Sequence, residues 1–396
     1  MKLIVKPLLI AIPLLSMSTL LANAQAGEPQ TVGPTEGRCT ATGVVEDSRV
    51  LGYCVVDGVK KAWYRSTSPA ELINLKPLQP NQSCESGFLA LNIITGNCDQ
   101  SQGAVPVFWP VASAKSEPQP FKPLPTDTGS VALAATLFGN VAGQSLTPSG
   151  STAVIWRFEK RGDPVQVSGR NDNCRVAAIA DSVLDSSTPV ALNCPDGSGI
   201  TTATIATYNG SNYTMKALKL PANASYCEVI GINGNNQVAG TCHYTGSTKA
   251  TFWPQFDAEP KTLVFTDNLP TEAAFFNSNG SVIANAITPD KRLPVYWPAS
   301  AVNGQQIPLP PKFDFCLANA IAQSVDTLLM TCAANDITLP VTAFTWNPSS
   351  GLSSIQPAPG AGSYRGTAIT NSAQDAVGHF KATPQANFQA FISKLP

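Results

Sequence analysis

The chain has 396 residues, only 13% of them charged, and a formal net charge of -1. No field of one sign exists to attract nucleic acid or an anionic membrane, so neither is expected as a partner. A hydrophobic share of 43%, with 33 Pro and 29 Gly, suits a core of many short strands better than one of long helices.

The first residues read as a targeting signal. Lys2 and Lys6 flank the start of an apolar stretch from about Leu8 to Leu21, and Ala22-Asn23-Ala24 and Ala24-Gln25-Ala26 each fit a small-x-small cleavage site. Pro7 and Pro13 interrupt the stretch, which is shorter than the roughly 20 residues that span a bilayer. Residues 1–26 are expected to be a cleaved signal peptide, and 27–396 a single secreted or periplasmic domain without membrane insertion.

A repeat runs through the remainder. All six Trp fall on one recurrent strand: Ala62-Trp63-Tyr64, Phe108-Trp109, Ile155-Trp156, Phe252-Trp253, Tyr296-Trp297 and Thr345-Trp346. Their spacings are 46, 47, 97, 44 and 49 residues. The double interval holds an unmarked copy at Ala203-Thr204-Ile205-Ala206, and Ala390-Phe391-Ile392 supplies a last one. Eight units of about 45 residues result. Ahead of each Trp strand lies a hairpin, clearest at Val229-Ile230-Gly231-Ile232, the turn Asn233-Gly234-Asn235-Asn236, and Val238-Ala239-Gly240. After it, spaced apolar residues such as Leu218 to Pro221, Leu263 to Phe265, Ile307 to Leu309 and Ile355 to Pro357 suggest a fourth short strand. Four strands per period, repeated eight times, predict an all-β fold: a β-propeller of about eight four-stranded blades. An open β-solenoid is the competing arrangement. Unit eight stops after its third strand, so Gln30-Thr31-Val32 is expected to pair beside Gln389–Ile392, supply the missing strand and close the ring.

The ten Cys fall into five pairs within units, Cys39–Cys54, Cys84–Cys98, Cys174–Cys194, Cys227–Cys242 and Cys316–Cys332, separated by 15, 14, 20, 15 and 16 residues. In each pair the first Cys stands five residues before an aliphatic residue of the first strand, and the second closes the second strand. They should face each other across the open end of a hairpin, within disulfide reach. An even count in an exported chain points to five disulfides. With no CxxC and only two His, no metal site is expected.

The unit resembles that of the extracellular HAF-repeat proteins, roughly Ile-Asn-x-x-Gly-x-Val-x-Gly followed by His-Ala-Phe-x-Trp. Ile232-Asn233 with Val238-Ala239-Gly240 and Ala250-Thr251-Phe252-Trp253 carries the likeness best, and Thr342-Ala343-Phe344-Thr345-Trp346 repeats its second half. The naming His is replaced by Lys61, Lys249, Thr342 and Gln389, and unit one shifts its Trp to the Phe position. The resemblance implies an exported repeat protein and no particular reaction.

Catalytic motifs are absent: neither GxSxG nor HExxH occurs. His243 and His379 have no Ser or Asp partner by spacing, and no cofactor is expected. Glu85, Arg175 and Glu228 directly follow the first Cys of a unit. In a propeller the first strand lines the channel, so these charges would stand near one mouth. With His243 and Asp314 they form the candidate ligand-binding set. Two functional classes follow. One is a non-enzymatic binding module, a monomer, for a protein or glycan ligand at the cell surface or in the periplasm. The other is a secreted hydrolase or lyase acting on polysaccharide, which needs two carboxylates roughly 5–10 Å apart. Clustering of Glu85, Glu228 and Asp314 would favour the enzyme. As one domain, residues 27–396 should yield clipped loops in limited proteolysis and no stable half-sized fragment; release of such a fragment would refute the single domain.

Overall fold

The computed structural model describes residues 29–90, 92–100, 103–115, 117–157, 162–181, 188–266, 269–336, 339–355, 362–383 and 385–395. The expected signal peptide lies outside them. Among the described residues no α-helix occurs, and no helix is long and apolar enough to cross a membrane.

The strands follow the repeat. After β1 (Gln30–Thr31) comes unit 1, β2–β5: Arg38–Val44, Val50–Val56, Val59–Arg65 and Leu72–Asn74. Unit 2 is β6–β9: Cys84–Leu89, Ile93–Gln100, Gly103–Pro110 and Gln119–Pro120. Unit 3 is β10–β13: Gly129–Ala135, Val141–Thr147, Gly150–Trp156 and Pro164–Gln166. Unit 4 is β14–β17: Arg175–Ile179, Val190–Pro195, Thr201–Tyr208 and Tyr213–Ala217. Unit 5 is β18–β21: Tyr226–Ile232, Val238–Tyr244, Ser247–Trp253 and Lys261–Thr262. Unit 6 is β22–β25: Thr271–Phe276, Val282–Ile287, Arg292–Trp297 and Gln305–Gln306. Unit 7 is β26–β29: Phe315–Ile321, Leu328–Ala333, Thr342–Asn347 and Gly351–Ser354. Unit 8 is β30–β32: Ser363–Ile369, Asp375–Lys381 and Phe388–Lys394.

Each unit is an antiparallel meander in strand order. Six form separate four-stranded sheets, and units 4 and 5 merge into one eight-stranded sheet through a single parallel bridge, Thr202 to Cys227. In unit 8 the fourth place is taken by β1, which pairs antiparallel with β32, Gln30 opposite Ile392 and Thr31 opposite Phe391. Successive units pack through the first strand of one onto strands of the one before, and β2 packs on β30, β31 and β32 in the same way.

Two expectations need correcting in register. The apolar residues assigned to the fourth strands are not in them. The strands are the more polar residues just before, and Leu218, Leu263, Ile307 and Ile355 follow as buried plugs. Each plug donates its N–H to a third-strand carbonyl: Leu218 to Ala203, Leu263 to Ala250, Ile307 to Pro294 and Ile355 to Ala343. Leu75, Phe121 and Val167 do the same in units 1 to 3, and so does Val32, donating to Ala390 O at 3.1 Å in unit 8. An outer strand has one face free, so polar residues pair there and the apolar residue is spent where the chain turns inward. The second correction concerns unit 1. Trp63 pairs with Gly52 as Thr251 pairs with Gly240. It therefore stands two residues ahead of the usual Trp place, and Tyr64 occupies the Phe position.

The Trp residues are the centres of the inter-unit core. Trp109, Trp156 and Trp253 are fully buried, and their indole N–H groups donate to Lys76 O (2.9 Å), Lys122 O (2.8 Å) and Lys219 O (2.9 Å). Each of those carbonyls follows the fourth strand of the preceding unit. The ring thus fills the gap between two units and its polar edge fixes their spacing.

The five disulfides are those read from the spacing, each with Cα atoms 4.0 Å apart. In units 3, 6 and 8 the equivalent facing positions hold Ser130 and Ser145, Thr271 and Ala286, and Tyr364 and Phe380. Unit 3 substitutes a polar network. Ser145 Oγ donates to the buried Asp127 carboxylate (2.6 Å), which Arg170 clamps through both terminal nitrogens. Unit 8 substitutes stacked rings, Tyr364 on Phe380 at 4.9 Å.

The junction of units 8 and 1 is dense in side-chain bonds. Ser48 Oγ donates to Asp375 Oδ2 (2.7 Å), Lys394 Nζ reaches both (2.8 and 2.9 Å), and Thr367 Oγ1 donates to Ala41 O (2.6 Å). Val32, 4% exposed, packs in one cluster with Trp63, Val377 and Ala390. A chain beginning at Gly37 loses Val32 and the β1 pairing. Denaturant unfolding should show it less stable by at least about 2 kcal/mol and sedimentation should show association through the bared edge of β32; unchanged stability in a monomer would mean that the segment carries no load.

Candidate functional site

The site begins with an irregularity common to all units. Every first strand carries a β-bulge at the same phase: after Ala41, Ser86, Ala132, Val176, Val229, Ala273, Ala318 and Gly366. A bulge leaves backbone groups outside the ladder and bends the strand. Those groups are met by side chains of the preceding unit. Asn97 grips both the N–H and the carbonyl of Ala132 (2.9 and 3.2 Å), and Asn193 grips those of Val229 (2.8 and 2.9 Å). Thr241 Oγ1 accepts from Ala273 N–H (2.9 Å), and Thr42 Oγ1 donates to Ser86 O (2.8 Å). Close approach of the first strand accounts for Gly240 in the Val-x-Gly motif: a Cβ there would run into the carbonyl oxygen of Glu228, as one at Gly143 would into that of Val131. Units 4, 6 and 7 carry Leu192, Ala284 and Met330 at this place, so the glycine is required only where the strands approach that closely.

Beyond the bulge the first strands converge on one cavity of about 700 Å³, lined by all eight units. Its walls are apolar, with Val44, Phe88, Ile179, Ile230, Phe275 and Ala368 among them. Its rim consists of the turns after the first strands. These turns are tied in series: Asn233 Nδ2 donates to Ser278 O (3.3 Å), Ser278 N–H to Gln323 O (3.1 Å), Ser324 N–H to Asn371 O (3.0 Å) and Ser372 N–H to Glu46 Oε1 (2.7 Å). Behind them Asp326 accepts from Asn277 Nδ2 (2.8 Å) and the Tyr296 hydroxyl (2.7 Å). Burial, with this bond, pushes the Tyr296 phenol up to about 12. Among the described residues the charged ones at the rim are Glu46, Asp47, Arg49 and Asp181. Arg49 is bound to Asp47 (2.8 Å), and Asp181 accepts from Leu137 N–H (3.0 Å). Desolvation raises the Asp181 carboxyl above the usual range, with the Leu137 bond pulling the other way. A larger recess, about 870 Å³, lies beside Gly33–Glu36 and Cys84; it belongs to units 1 and 2 and the segment before them.

The residues singled out from the sequence stand elsewhere. Glu85, Arg175 and Glu228 sit at the starts of β6, β14 and β18, the strand ends away from this cavity, and none of them lines it. Glu85 pairs with Lys60 (2.6 Å) and Asp314 accepts from Asn335 N–H (2.7 Å). Arg175 is solvent-exposed. Two of the set do come together: His243 Nε2 is 3.9 Å from Glu228 Oε2, with its ring stacked on Tyr226 at 4.1 Å. Glu85, Glu228 and Asp314 belong to units 2, 5 and 7. Among the described residues no group of three or more His, Cys, Asp or Glu could hold a metal ion. The cavity residues escaped notice because an apolar first strand looks alike whether it lines a hole or fills a core. The signal that could have found them is their recurrence at one phase in every unit.

No protein-family model matches the chain, and no curated protein matches it. Solved structures do. The Dos1 propeller is similar with a TM-score of 0.57 at 7% identity, over 93% of this chain and 94% of that one. The β-propeller domain of the Trilobed protease from Pyrococcus furiosus, which has an open velcro topology, is similar with a TM-score of 0.53 at 8% identity, over 78% and 95%. An oligogalacturonate lyase from Vibrio parahaemolyticus gives 0.51 at 10% identity, over 93% of each chain. The chain also spans about half the length of a prolyl endopeptidase that it matches, 54% at a TM-score of 0.56. At these identities the likeness is one of fold, and the fold is a β-propeller.

Burial, with a smaller push from Arg365, lowers the His379 imidazole to about 4. The unfolded chain then takes up this proton near pH 6.5 and the folded chain only near 4, so stability falls as pH drops through that window. In chemical denaturation at pH 7, 5.5 and 4.5, His379→Gln is expected to lose less stability on acidification than the parent. Equal losses would exclude His379 as the source.

Proposed function

We propose that the mature chain is a closed, eight-bladed propeller that works as a non-enzymatic binding module outside the cytoplasm, taking its ligand at the mouth of the central cavity. The observation that carries this is the cavity itself, to which all eight units contribute. A pocket with apolar walls and a small number of placed polar groups is the usual form of a ligand site. The packing of β2 on unit 8 and the β1 pairing support closure. Five disulfides support an oxidising compartment, as does the apolar leader of residues 1–26. The likeness of the repeat to extracellular HAF-repeat proteins points the same way.

The rim carboxylates favour binding over hydrolysis. Glu46 is held by Ser372, Asp47 by Arg49 and Asp181 by a backbone N–H. General acid–base work needs a carboxyl free to exchange its proton with substrate, and these are already engaged. Immobilised mature protein offered a glycan array and an extract of secreted proteins should retain a ligand. Retention is expected to disappear with Ala368→Arg, which fills the cavity wall, and to survive Glu228→Gln at the other strand end. Loss with Glu228→Gln alone would move the site, and shortening of a polysaccharide during incubation would replace the binder with a hydrolase or lyase.

A further inference from the structure

Resting on that reading of the mouth, we propose that its ligand is a polypeptide segment of a partner protein in which a lysine or arginine stands beside an aromatic or aliphatic side chain. The charge balance of the cavity comes first. Among the described residues its lining holds three carboxylates, Glu46, Asp47 and Asp181, and one cation, Arg49. Arg49 is bound to Asp47 through Nε, so that pair cancels. Glu46 is met by the N–H and hydroxyl of Ser372, and Asp181 by the N–H of Leu137. These donors are neutral, so neither bond brings an opposite charge to its carboxylate. Anionic ligands are repelled and a cation is drawn in.

The second element is depth. Below the rim the walls are Phe88, Ile179, Ile230 and Phe275, surfaces that gain by covering an apolar side chain. A polyhydroxylated ligand would have to leave its hydroxyls unpaired against them. Nor does the rim offer many free polar groups. Asn233 uses its amide on Gln237 and Ser278 and its carbonyl on the N–H groups of Asn235 and Gln237. The turns spend their hydrogen bonds on one another, and what they leave to a ligand is charge at the rim and apolar surface beneath it. A basic residue flanked by an apolar one fits both levels at once, and about 700 Å³ lies within the range of sites that enclose several side chains.

The test is isothermal titration of the mature protein with three acetylated, amidated peptides of equal length, built of alternating Lys and Phe, Glu and Phe, and Lys and Ser. The Lys/Phe peptide is expected to bind, with the other two weaker by about tenfold or more. Glu46→Gln combined with Asp181→Asn removes both charges while keeping one acceptor oxygen on each side chain, and should weaken the Lys/Phe peptide to a similar degree. So should about 0.5 M salt, which shortens the reach of charge attraction to a few ångström. Thermal unfolding of the double variant shows that it is folded. No binding by any peptide overturns the proposal. Equal binding of the Glu/Phe peptide overturns the charge, and equal binding of the Lys/Ser peptide overturns the apolar contact. In either case loss of binding in Ala368→Arg would leave the mouth as the site. Lys/Phe binding untouched by Ala368→Arg would overturn the mouth reading itself.

Discussion

Each first strand has one residue more than its partner can pair, and much of the architecture answers that surplus. The bulge frees backbone groups that are part-buried, and an unpaired buried amide costs on the order of 1–3 kcal/mol. The side chain that satisfies it comes from the preceding unit in every case seen: Thr42 for unit 2, Asn97 for unit 3, Asn193 for unit 5, Thr241 for unit 6 and Thr367 for unit 1. These five units therefore do not complete their own hydrogen bonding. Each needs a neighbour on one side. The residues just after the bulge, among them Phe88, Ala178, Gly231, Phe275 and Ala368, line the cavity, so the site begins where the regular ladder is interrupted.

The units are held together at three levels with different tolerance. At the strand starts, disulfides each contributing on the order of 3 kcal/mol serve five units, while Asp127 with Ser145 and the Tyr364–Phe380 stack serve two that lack them. Any contact that keeps the open end of the hairpin shut is acceptable there. At mid-sheet Trp109, Trp156 and Trp253 combine ring volume with an indole bond to the preceding unit, while units 1, 4 and 8 carry Arg65, Ala206 and Ser393 at that place. At the turns the bonds are short-range and polar, and the rim they build is fixed in shape. At that rim Glu46 and Asp181 are bound by neutral donors of Ser372 and Leu137.

The junction of units 8 and 1 joins the two ends of the described chain without a covalent bond. It uses the same plug as every other unit, Val32 on Ala390, and adds the Ser48, Asp375 and Lys394 network. The fourth strand here has two residues, as it has in units 2, 5 and 6, so the additional polar bonds are a feature of this junction and not of a shorter strand.

The sequence by itself determined the all-β class, the repeat, the five cysteine pairs and the pairing of Gln30 and Thr31 beside β32. These are local or periodic quantities: a hairpin puts Cys227 opposite Cys242 whatever the rest of the chain does, and the recurrence of Trp marks one strand of one unit. Tertiary structure decided the rest. The bulge leaves no mark in the apolar pattern, because it adds a residue to a strand without breaking it. Which end of the first strands opens into a cavity depends on how the units meet, a property of no single unit. Glu85, Arg175 and Glu228 drew attention because they stood out in the sequence, whereas Ile230 and Phe275 resemble any core residue until seven other strands are placed around the same space.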